Sequence, residues 1–251
     1  MPESVSFLAG DATLRGFIYK PAGKGPFPAI LYNHGSNQRP GWFPELGKFW
    51  TDQGYVFFVP HRRGHGRSPG EWIVDLQQQF REQEKDLNIT RKHDIELHER
   101  ANADVVAAVA WLKKQPFVKA DRIVMSGISY GGIQTVLAAE KDLGVKAYVL
   151  FAPAAMSWAG NPLLRERLLQ AVKNTKAPMF LLQAENDYNL GPSELLGGEL
   201  KRMGNPNRAK IYPAFGGKDN KQDGHGGFAV RGSDVWGEGV LAFLNDVLKK
   251  N

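Results

Sequence analysis

The feature that most restricts the fold is a serine flanked by glycines, Gly127-Ile128-Ser129-Tyr130-Gly131. The apolar run Ile123 to Met125 before it is typical of a buried strand, and the segment Ile133 to Glu140 after it is compatible with a helix. Strand, tight turn and helix form the context that the G-x-S-x-G pattern requires. Side chains in place of the two glycines would collide where the strand and the helix crowd together. The pattern therefore predicts a hydroxyl at the carboxyl end of a strand, with a helix N-terminus behind it.

Strand-like and helix-like segments alternate from residue 29 to the end of the chain. An antiparallel hairpin is predicted before them, from two alternating segments that flank Gly10-Asp11. Apolar runs predict buried strands at 29–32, 55–59 and 145–151, and further strands are predicted at 123–128, 178–183 and 209–212. Helices are expected at 44–53, 73–115, 133–140, 161–173, 192–203 and 234–249, and a glycine-rich loop at 216–227. This alternation predicts a mostly parallel sheet with helices on both faces.

Composition narrows the class of protein. The chain has 251 residues, of which 42% are hydrophobic and 23% charged, which suits one domain spanning residues 1–251. It has no cysteine, so disulfides and thiolate metal sites are excluded. The net charge of +6 comes from scattered basic residues, which predicts a solvated surface and no nucleic-acid partner.

Targeting signals are not evident. The N-terminus lacks a basic stretch followed by an apolar one, and no apolar run approaches the roughly 18 residues of a membrane span. We expect a cytoplasmic protein without a membrane partner. It would be secreted if a signal peptide had already been removed from this sequence.

Reactive side chains follow several of the predicted strands. In parallel sheets ligands bind beyond the carboxyl ends of the strands, and those ends carry Ser129, Glu185-Asn186-Asp187 and the loop that contains His225. Serine, acid and histidine occur here in the chain order of the α/β-hydrolase triad. A serine hydroxyl needs a base to accept its proton, and a carboxylate fixes the tautomer of a histidine base. We predict Ser129 as nucleophile, His225 as base and Asp187 as its orienting acid.

Alternatives stay open for two of these roles. Glu185 lies two residues before Asp187, and Asp219 and Asp223 lie close to His225 in the sequence. Five further histidines compete for the role of base, although His225 alone follows the last predicted strand amid glycines: the five are His34, His61, His65, His93 and His98.

The oxyanion of an acyl-transfer reaction needs preformed hydrogen-bond donors. The backbone N–H of Tyr130 is one predicted donor. The second should come from the loop after strand 29–32, from Ser36 or alternatively from Asn37. Asn37 and Trp158 are also predicted to contact substrate.

Five pieces of sequence together resemble the dienelactone-hydrolase-like esterases of the α/β-hydrolase superfamily. They are Asn33-His34-Gly35, Arg63-Gly64-His65-Gly66-Arg67-Ser68, Gly127-Ile128-Ser129-Tyr130-Gly131-Gly132, Asp187 and Gly224-His225-Gly226. The resemblance implies an α/β-hydrolase fold with a twisted, mostly parallel sheet of eight strands. Dienelactone hydrolases proper carry a cysteine nucleophile, and the serine at 129 favours ordinary esters.

We therefore predict a serine hydrolase that cleaves carboxylic esters of small to medium acyl groups through an acyl-enzyme. The site should need no metal and no cofactor. Two segments, at about 72–100 and 156–173, are candidate caps over it, the first of them charged nearly all round. An acyltransferase or a peptidase with the same triad, or a ligand-binding protein with negligible turnover, are the alternatives.

Overall fold

A hairpin and six further strands form one sheet in the order β1-β2-β4-β3-β5-β6-β7-β8. The computed structural model describes residues 1–248, so the predicted end of the last helix at Lys249 lies outside the described residues. β1 pairs antiparallel with β2, β2 pairs antiparallel with β4, and the remaining pairs are parallel. The eight-stranded, mostly parallel sheet with its N-terminal hairpin is thus confirmed. The strands are β1 Glu3–Ala9, β2 Ala12–Tyr19, β3 Phe27–Asn33, β4 Val56–His61, β5 Val118–Ile128, β6 Ala147–Phe151, β7 Met179–Ala184 and β8 Arg208–Tyr212.

Helices cover both faces of the sheet. Alternate strand residues enter two separate hydrophobic clusters, as the two-residue period of a strand requires. The first cluster takes in residues of α2 to α6, and the second takes in residues of α1, α7 and α8. The helices are α1 Pro44–Asp52, α2 Ile73–Gln83, α3 Leu87–Lys113, α4 Tyr130–Ala139, α5 Pro162–Asn174, α6 Gly191–Met203, α7 Phe228–Arg231 and α8 Ser233–Leu248.

Local capping explains where the helices around the site begin. The side chain of Asp86 accepts hydrogen bonds from the first backbone N–H groups of α3, those of Asn88 and Ile89. Asn161 caps α5 in the same way by accepting from the N–H of Leu164 at 3.0 Å. Such caps satisfy N–H groups that have no acceptor within the helix. The cap at Asp86 marks the point where the helical region predicted at 73–115 divides into two helices, α2 and α3.

The expectation that the segment 72–100 is charged nearly all round is wrong for α3. Four residues of its first half lie at helical spacing on one face and are buried: Thr90, Asp94, Leu97 and His98. Three of the four are polar, so composition alone does not indicate that this face of the helix is buried. An ion pair of 2.6 Å between Arg81 and Asp94 joins α2 to α3. Within residues 1–248 no helix is long and apolar enough to cross a membrane.

Candidate active site

Ser129 lies between the last residue of β5 and the first residue of α4. Its backbone has φ 55° and ψ −116°, a conformation that non-glycine residues rarely adopt. The strain is held by the elements on both sides, because the N–H of Ser129 donates to Phe151 and its carbonyl accepts from Ile133, each at 3.0 Å. A strained turn of this kind exposes the hydroxyl of the nucleophile at the top of a sheet.

The glycines on either side of Ser129 are required by close contact. A Cβ atom on Gly127 would lie 2.3 Å from the carbonyl oxygen of Gly131, and one on Gly131 would lie 1.8 Å from that of Asn33. Both distances are shorter than any real Cβ contact, so strands β3 and β5 and helix α4 can converge here only without side chains. The crowding predicted from the sequence is confirmed.

His225 and Asp187 form a buried pair. Nδ1 of His225 lies 2.8 Å from Oδ1 of Asp187, and the two side chains are 5% and 0% exposed. Because Nδ1 faces a carboxylate, we assign the proton to Nδ1, which leaves Nε2 as the basic nitrogen. Nε2 is buried and has no hydrogen-bond partner among residues 1–248. The hydrogen bond from Oγ of Ser129 to Nε2 thus stays a prediction.

The carboxylate of Asp187 is held by three donors. Besides His225, the backbone N–H of Tyr188 donates to Oδ1 at 2.6 Å, and Nε2 of Gln183 donates to Oδ2 at 3.1 Å. Glu185, by contrast, is exposed. Of the carboxylates that the sequence left open, Asp187 is the one that the structure pairs with His225.

Asp219 and Asp223 lie elsewhere in the His225 segment. Asp219 is exposed, and Asp223 is ion-paired with Arg231. Neither of them contacts the imidazole through a hydrogen bond within the described chain.

Two residues that orient the pair were missed by sequence reasoning. Gln183 is fully buried and accepts from the N–H and hydroxyl of Ser193 while it donates to Asp187. Asn186 donates to the carbonyls of Phe215, Gly217 and Asn220, which ties the His225 segment to the end of β7. A polar residue in the otherwise apolar run 178–183 was the available signal for Gln183.

The segment around His225 is not the plain loop that its glycines predict. Residues Asp223–Gly227 form a π-helical turn that continues directly into α7. Gly224 lies so close to Asn186 that a Cβ atom would be 2.4 Å from its Oδ1. Glycine serves here for close packing against the end of β7, and composition cannot distinguish this use from loop flexibility.

The predicted oxyanion donors lie beside Ser129. Tyr130 is the first residue of α4, so its N–H has no acceptor within the helix. The loop after β3 approaches the serine closely, because a Cβ atom on Gly35 would be 4.0 Å from Cβ of Ser129. Ser36 follows in this loop, and its carbonyl accepts from Nε1 of Trp72 at 2.8 Å.

A cavity of about 630 Å³ opens onto Ser129. Both candidate cap segments contribute to it, the first through α2 and α3 and the second through the connection from β6 to α5. Its buried, inner wall includes Ile73, Ile133 and Leu164, and its exposed, outer wall includes Arg81 and Lys85. The lining residues are Ser36, Ile73, Val74, Gln77, Arg81, Glu84, Lys85, Leu87, Thr90, Arg91, Asp94, His98, Ser129, Tyr130, Ile133, Ala154, Met156, Ser157, Gly160, Asn161 and Leu164.

Two predicted substrate contacts lie outside this cavity. Trp158 is buried in the hydrophobic core, where it abuts Gly191. Large aromatic side chains in such connections commonly fill the core. Asn37 is exposed, and its side chain accepts from the N–H of Arg39 within its own turn. The substrate contacts of Trp158 and Asn37 stay predictions.

A second cluster of buried polar side chains lies beneath the loop after β3. Arg62 is 1% exposed and is surrounded by the imidazoles of His34, His65 and His98. Burial, followed by the charge of Arg62, lowers the pKa of both His65 and His98 to about 4. The pKa of His34 is lowered by the same two causes. These imidazoles are therefore neutral at neutral pH, and Arg62 carries the charge of the cluster.

No group of three or more histidine, aspartate or glutamate side chains within residues 1–248 is arranged to hold a metal ion.

Comparison with protein families decides the relationship. The sequence pattern of the X-Pro dipeptidyl-peptidases (S15 family) matches residues 10–199. The chain belongs to this peptidase S15 family. A polyketide transferase, grgF from Penicillium sp, is 28% identical to the S15-family chain over 225 residues, which cover 84% of the chain and 69% of the transferase.

Solved structures show the same fold. A Pyrococcus horikoshii acylaminoacyl peptidase has a TM-score of 0.69 at 21% identity and is matched over 100% of the S15-family chain. The chain spans only 42% of that longer peptidase. A Pyrococcus furiosus esterase has a TM-score of 0.67 at 18% identity, with 98% and 90% of the two chains covered.

These matches place the S15-family chain in the α/β-hydrolase superfamily. They support a serine hydrolase or an acyltransferase. They do not test the dienelactone-hydrolase group, which stays a prediction.

Proposed function

We propose that the chain cleaves carboxylic esters of small to medium acyl groups, with Ser129 as nucleophile, His225 as base and Asp187 as orienting acid. The observation that carries this proposal is the buried hydrogen bond between Asp187 and Nδ1 of His225. It fixes the tautomer in which Nε2 can accept a proton. The strained turn at Ser129 and the cavity in front of it supply the other two requirements, an exposed hydroxyl and a space for the acyl group.

The reaction would proceed in two halves. Oγ of Ser129 forms a bond to the ester carbonyl carbon while its proton passes to Nε2 of His225, and the carbonyl oxygen becomes an oxyanion. The N–H groups of Tyr130 and Ser36 are the proposed donors to that oxyanion. The bond to the alcohol then breaks, and the alcohol leaves with the proton from His225. Water hydrolyses the acyl-enzyme by the same steps in reverse order.

The cavity supports an acyl group of limited size. Its volume of about 630 Å³ is in the range of pockets for small organic ligands. Ile73, Ile133 and Leu164 give it an apolar inner wall, which suits an alkyl or aryl acyl chain. We propose that α2, α3 and the segment 156–173 act as the cap of one domain, and that serine in place of cysteine favours ordinary esters within a dienelactone-hydrolase-like group.

Transfer to an amine or hydroxyl acceptor, and peptide cleavage, are the second candidates. The family is named for a dipeptidyl-peptidase, and a relative is named as a polyketide transferase. The outer cavity wall carries the ion pair between Arg81 and Asp94 together with Glu84, groups that can bind a charged peptide end or acceptor. Three kinds of assay separate the three reactions. Ester cleavage is measured with p-nitrophenyl esters of rising chain length, peptide cleavage with dipeptidyl p-nitroanilides, and acyl transfer with an ester to which an amine is added.

A fluorophosphonate probe tests the nucleophile directly, because only an activated serine reacts promptly. We expect labelling at Ser129 and hydrolysis of p-nitrophenyl acetate or butyrate. Ser129→Ala should abolish labelling and lower hydrolysis by about 10³-fold or more. The matched control is Ser126→Ala in the same strand, which should keep the wild-type rate. A Ser129→Ala variant with the full rate would refute the proposal, and a wild type that binds esters without turnover or labelling would make the chain a binding protein.

The remaining expectations concern partners and location. We propose a small-molecule substrate as the partner of the site and a cytoplasmic location. Fractionation of the producing cells, with the tagged chain followed by immunoblot, tests the location.

A further inference from the structure

Arg62 is a buried charge without a carboxylate partner. It follows β4 directly and is 1% exposed, and no ion pair with an acidic side chain joins it within residues 1–248. Two of its three guanidinium nitrogens, Nε and Nη1, have no hydrogen-bond partner in that part of the chain. Burial of an unpaired charge is costly, and arginine keeps its proton even so. An arrangement that destabilises the fold calls for a functional explanation.

The contacts that Arg62 does make lead to one proposed oxyanion donor. Nη2 donates to the carbonyl oxygen of His34 at 2.6 Å and to that of Gly35 at 3.2 Å. The carbonyl of Gly35 and the N–H of Ser36 belong to one planar peptide group. The same carbonyl lies 2.7 Å from Nδ1 of His34, so Arg62 and His34 together fix the direction of the N–H of Ser36.

Arg62 also contacts Tyr130, whose backbone N–H is the other proposed donor, through the aromatic ring of that residue. The guanidinium carbon lies 4.4 Å from the centre of the Tyr130 ring, within the range of a cation–π contact. The backbone N–H of Tyr130 is the second donor of the oxyanion site. One side chain thus contacts the peptide group that carries one proposed donor and the ring of the residue that carries the other.

The surroundings leave this positive charge largely uncompensated. The imidazoles of His34, His65 and His98 are neutral, and the nearest acid, Asp104, is bound to the neighbouring Arg63 at 2.8 and 3.0 Å. In a low-dielectric interior such a charge acts over several ångströms. It favours states in which negative charge appears at the adjacent site.

We infer that Arg62 is a positioning residue that aligns the N–H groups of Ser36 and Tyr130 and stabilises the oxyanion of the tetrahedral intermediate with its buried charge. This inference rests on the proposed hydrolase function. The charge in question appears when Oγ of Ser129 bonds to the carbonyl carbon and the carbonyl electron pair moves to oxygen. It disappears when the leaving group departs. Arg62 should therefore affect the transition state more than the bound ester.

Replacement of the charge tests the inference. In Arg62→Met, which keeps most of the side-chain volume, we expect kcat for p-nitrophenyl butyrate to fall about 100-fold while KM changes less than about threefold. The affinity for an alkyl boronic acid, which forms a tetrahedral anion on serine, should fall by a similar factor. Arg62→Lys should recover part of both values, because it restores the charge without the bidentate geometry.

The matched control is Arg63→Met in the same loop. Arg63 is ion-paired with Asp104 and Asp11, so its loss should lower the melting temperature and leave kcat and boronate affinity near the wild type. Equal kcat losses in Arg62→Met and Arg63→Met, or an Arg62→Met variant with wild-type kcat and boronate affinity, would overturn the inference. If Arg62→Met fails to fold, Arg62→Gln, which keeps hydrogen-bonding groups without the charge, would overturn it equally by showing an unchanged kcat.

The proposed function has its own readout in the same experiment. Fluorophosphonate labelling of the wild type that is lost in Ser129→Ala supports the hydrolase whatever the Arg62 variants do. An unlabelled wild type would overturn both proposals.

Discussion

The two sides of Ser129 use buried polar groups in opposite ways. On the acid side, which we define as Gln183, Asn186, Asp187 and His225, nearly every buried group has a partner. On the arginine side, defined as Arg62 with its surrounding histidines His34, His61, His65 and His98, several buried nitrogens have none within the described chain. The buried polar groups of the acid side are therefore almost all hydrogen-bonded. The arginine side instead holds a buried positive charge without an ion-pair partner among the described residues.

In the proposed mechanism the two sides have two different tasks. A proton relay needs a fixed tautomer and a fixed ring, and a carboxylate held by three donors supplies both. Stabilisation of a transient anion needs a positive charge that no permanent anion neutralises. Satisfied hydrogen bonds serve the first task, whereas an incomplete set of partners serves the second.

The largest effect should come from the acid side. Asp187→Asn keeps the shape of the side chain but lets the amide face Nδ1, which favours the tautomer with its proton on Nε2. We expect kcat to fall about 10³- to 10⁴-fold with little change in the melting temperature. Glu185, an exposed carboxylate two residues before Asp187, provides the control: Glu185→Gln should retain the wild-type rate. More than a tenth of the rate in Asp187→Asn would show that the relay does not depend on this carboxylate.

The arginine side should make stability depend on pH. His65 and His98 have pKa values of about 4 in the folded chain, and unfolded histidine titrates near 6.5. Between these values the unfolded chain binds protons that the folded chain does not, so the free energy of unfolding falls as the pH falls. The full contribution is present above pH 6.5, and roughly 2–3 kcal/mol per histidine is lost toward pH 4.

Urea unfolding from pH 7.5 to 4.5 measures this slope. His98→Leu should flatten it, and Arg62→Met should flatten it in part, because one of the two causes of the low pKa values is removed. The same slope in all three proteins would contradict the assignment of the charge to this cluster.

The smallest effect concerns the support of the acid side. Gln183→Leu removes the donor to Oδ2 of Asp187 and should lower kcat about tenfold and stability by about 1–3 kcal/mol. Gln134→Leu is the matched variant, since Gln134 is also fully buried but bonds to Asn102 and the carbonyl of His98. It should lose similar stability with a smaller change in kcat. Steady-state rates and urea unfolding of both variants check this, and equal kcat losses would show that the effect of Gln183 is only structural.

Much of the architecture could be predicted from local pattern. Most buried parallel strands are apolar runs, and all six strands predicted from 29 to 212 are present, with bounds that differ by a few residues. The last of them, β8, lies at the edge of the sheet and is mostly exposed. The glycines beside Ser129 predicted a contact that the structure contains, because only glycine permits such close approach. These features depend on short segments whose neighbours along the chain are also their neighbours in space.

The errors occurred where polar or glycine residues are used for packing. The face of α3 that begins at Thr90 lies in a segment predicted to be charged nearly all round, and the His225 segment was predicted to be a plain loop. The structure of such a segment depends on which residues pack against it in space. Its own composition does not identify those residues.

The sequence by itself determined the order of strands and helices along the chain and the turn at Ser129, and it limited the acid of the proposed triad to a few carboxylates, since chain order and local spacing are sufficient for these. Only the tertiary structure decided which acid meets His225, which residues line the cavity and that Arg62 lies buried beneath the oxyanion loop. Those facts depend on contacts between residues such as Arg62 and Tyr130 that are far apart in the chain, and the folding of the sheet alone brings them together.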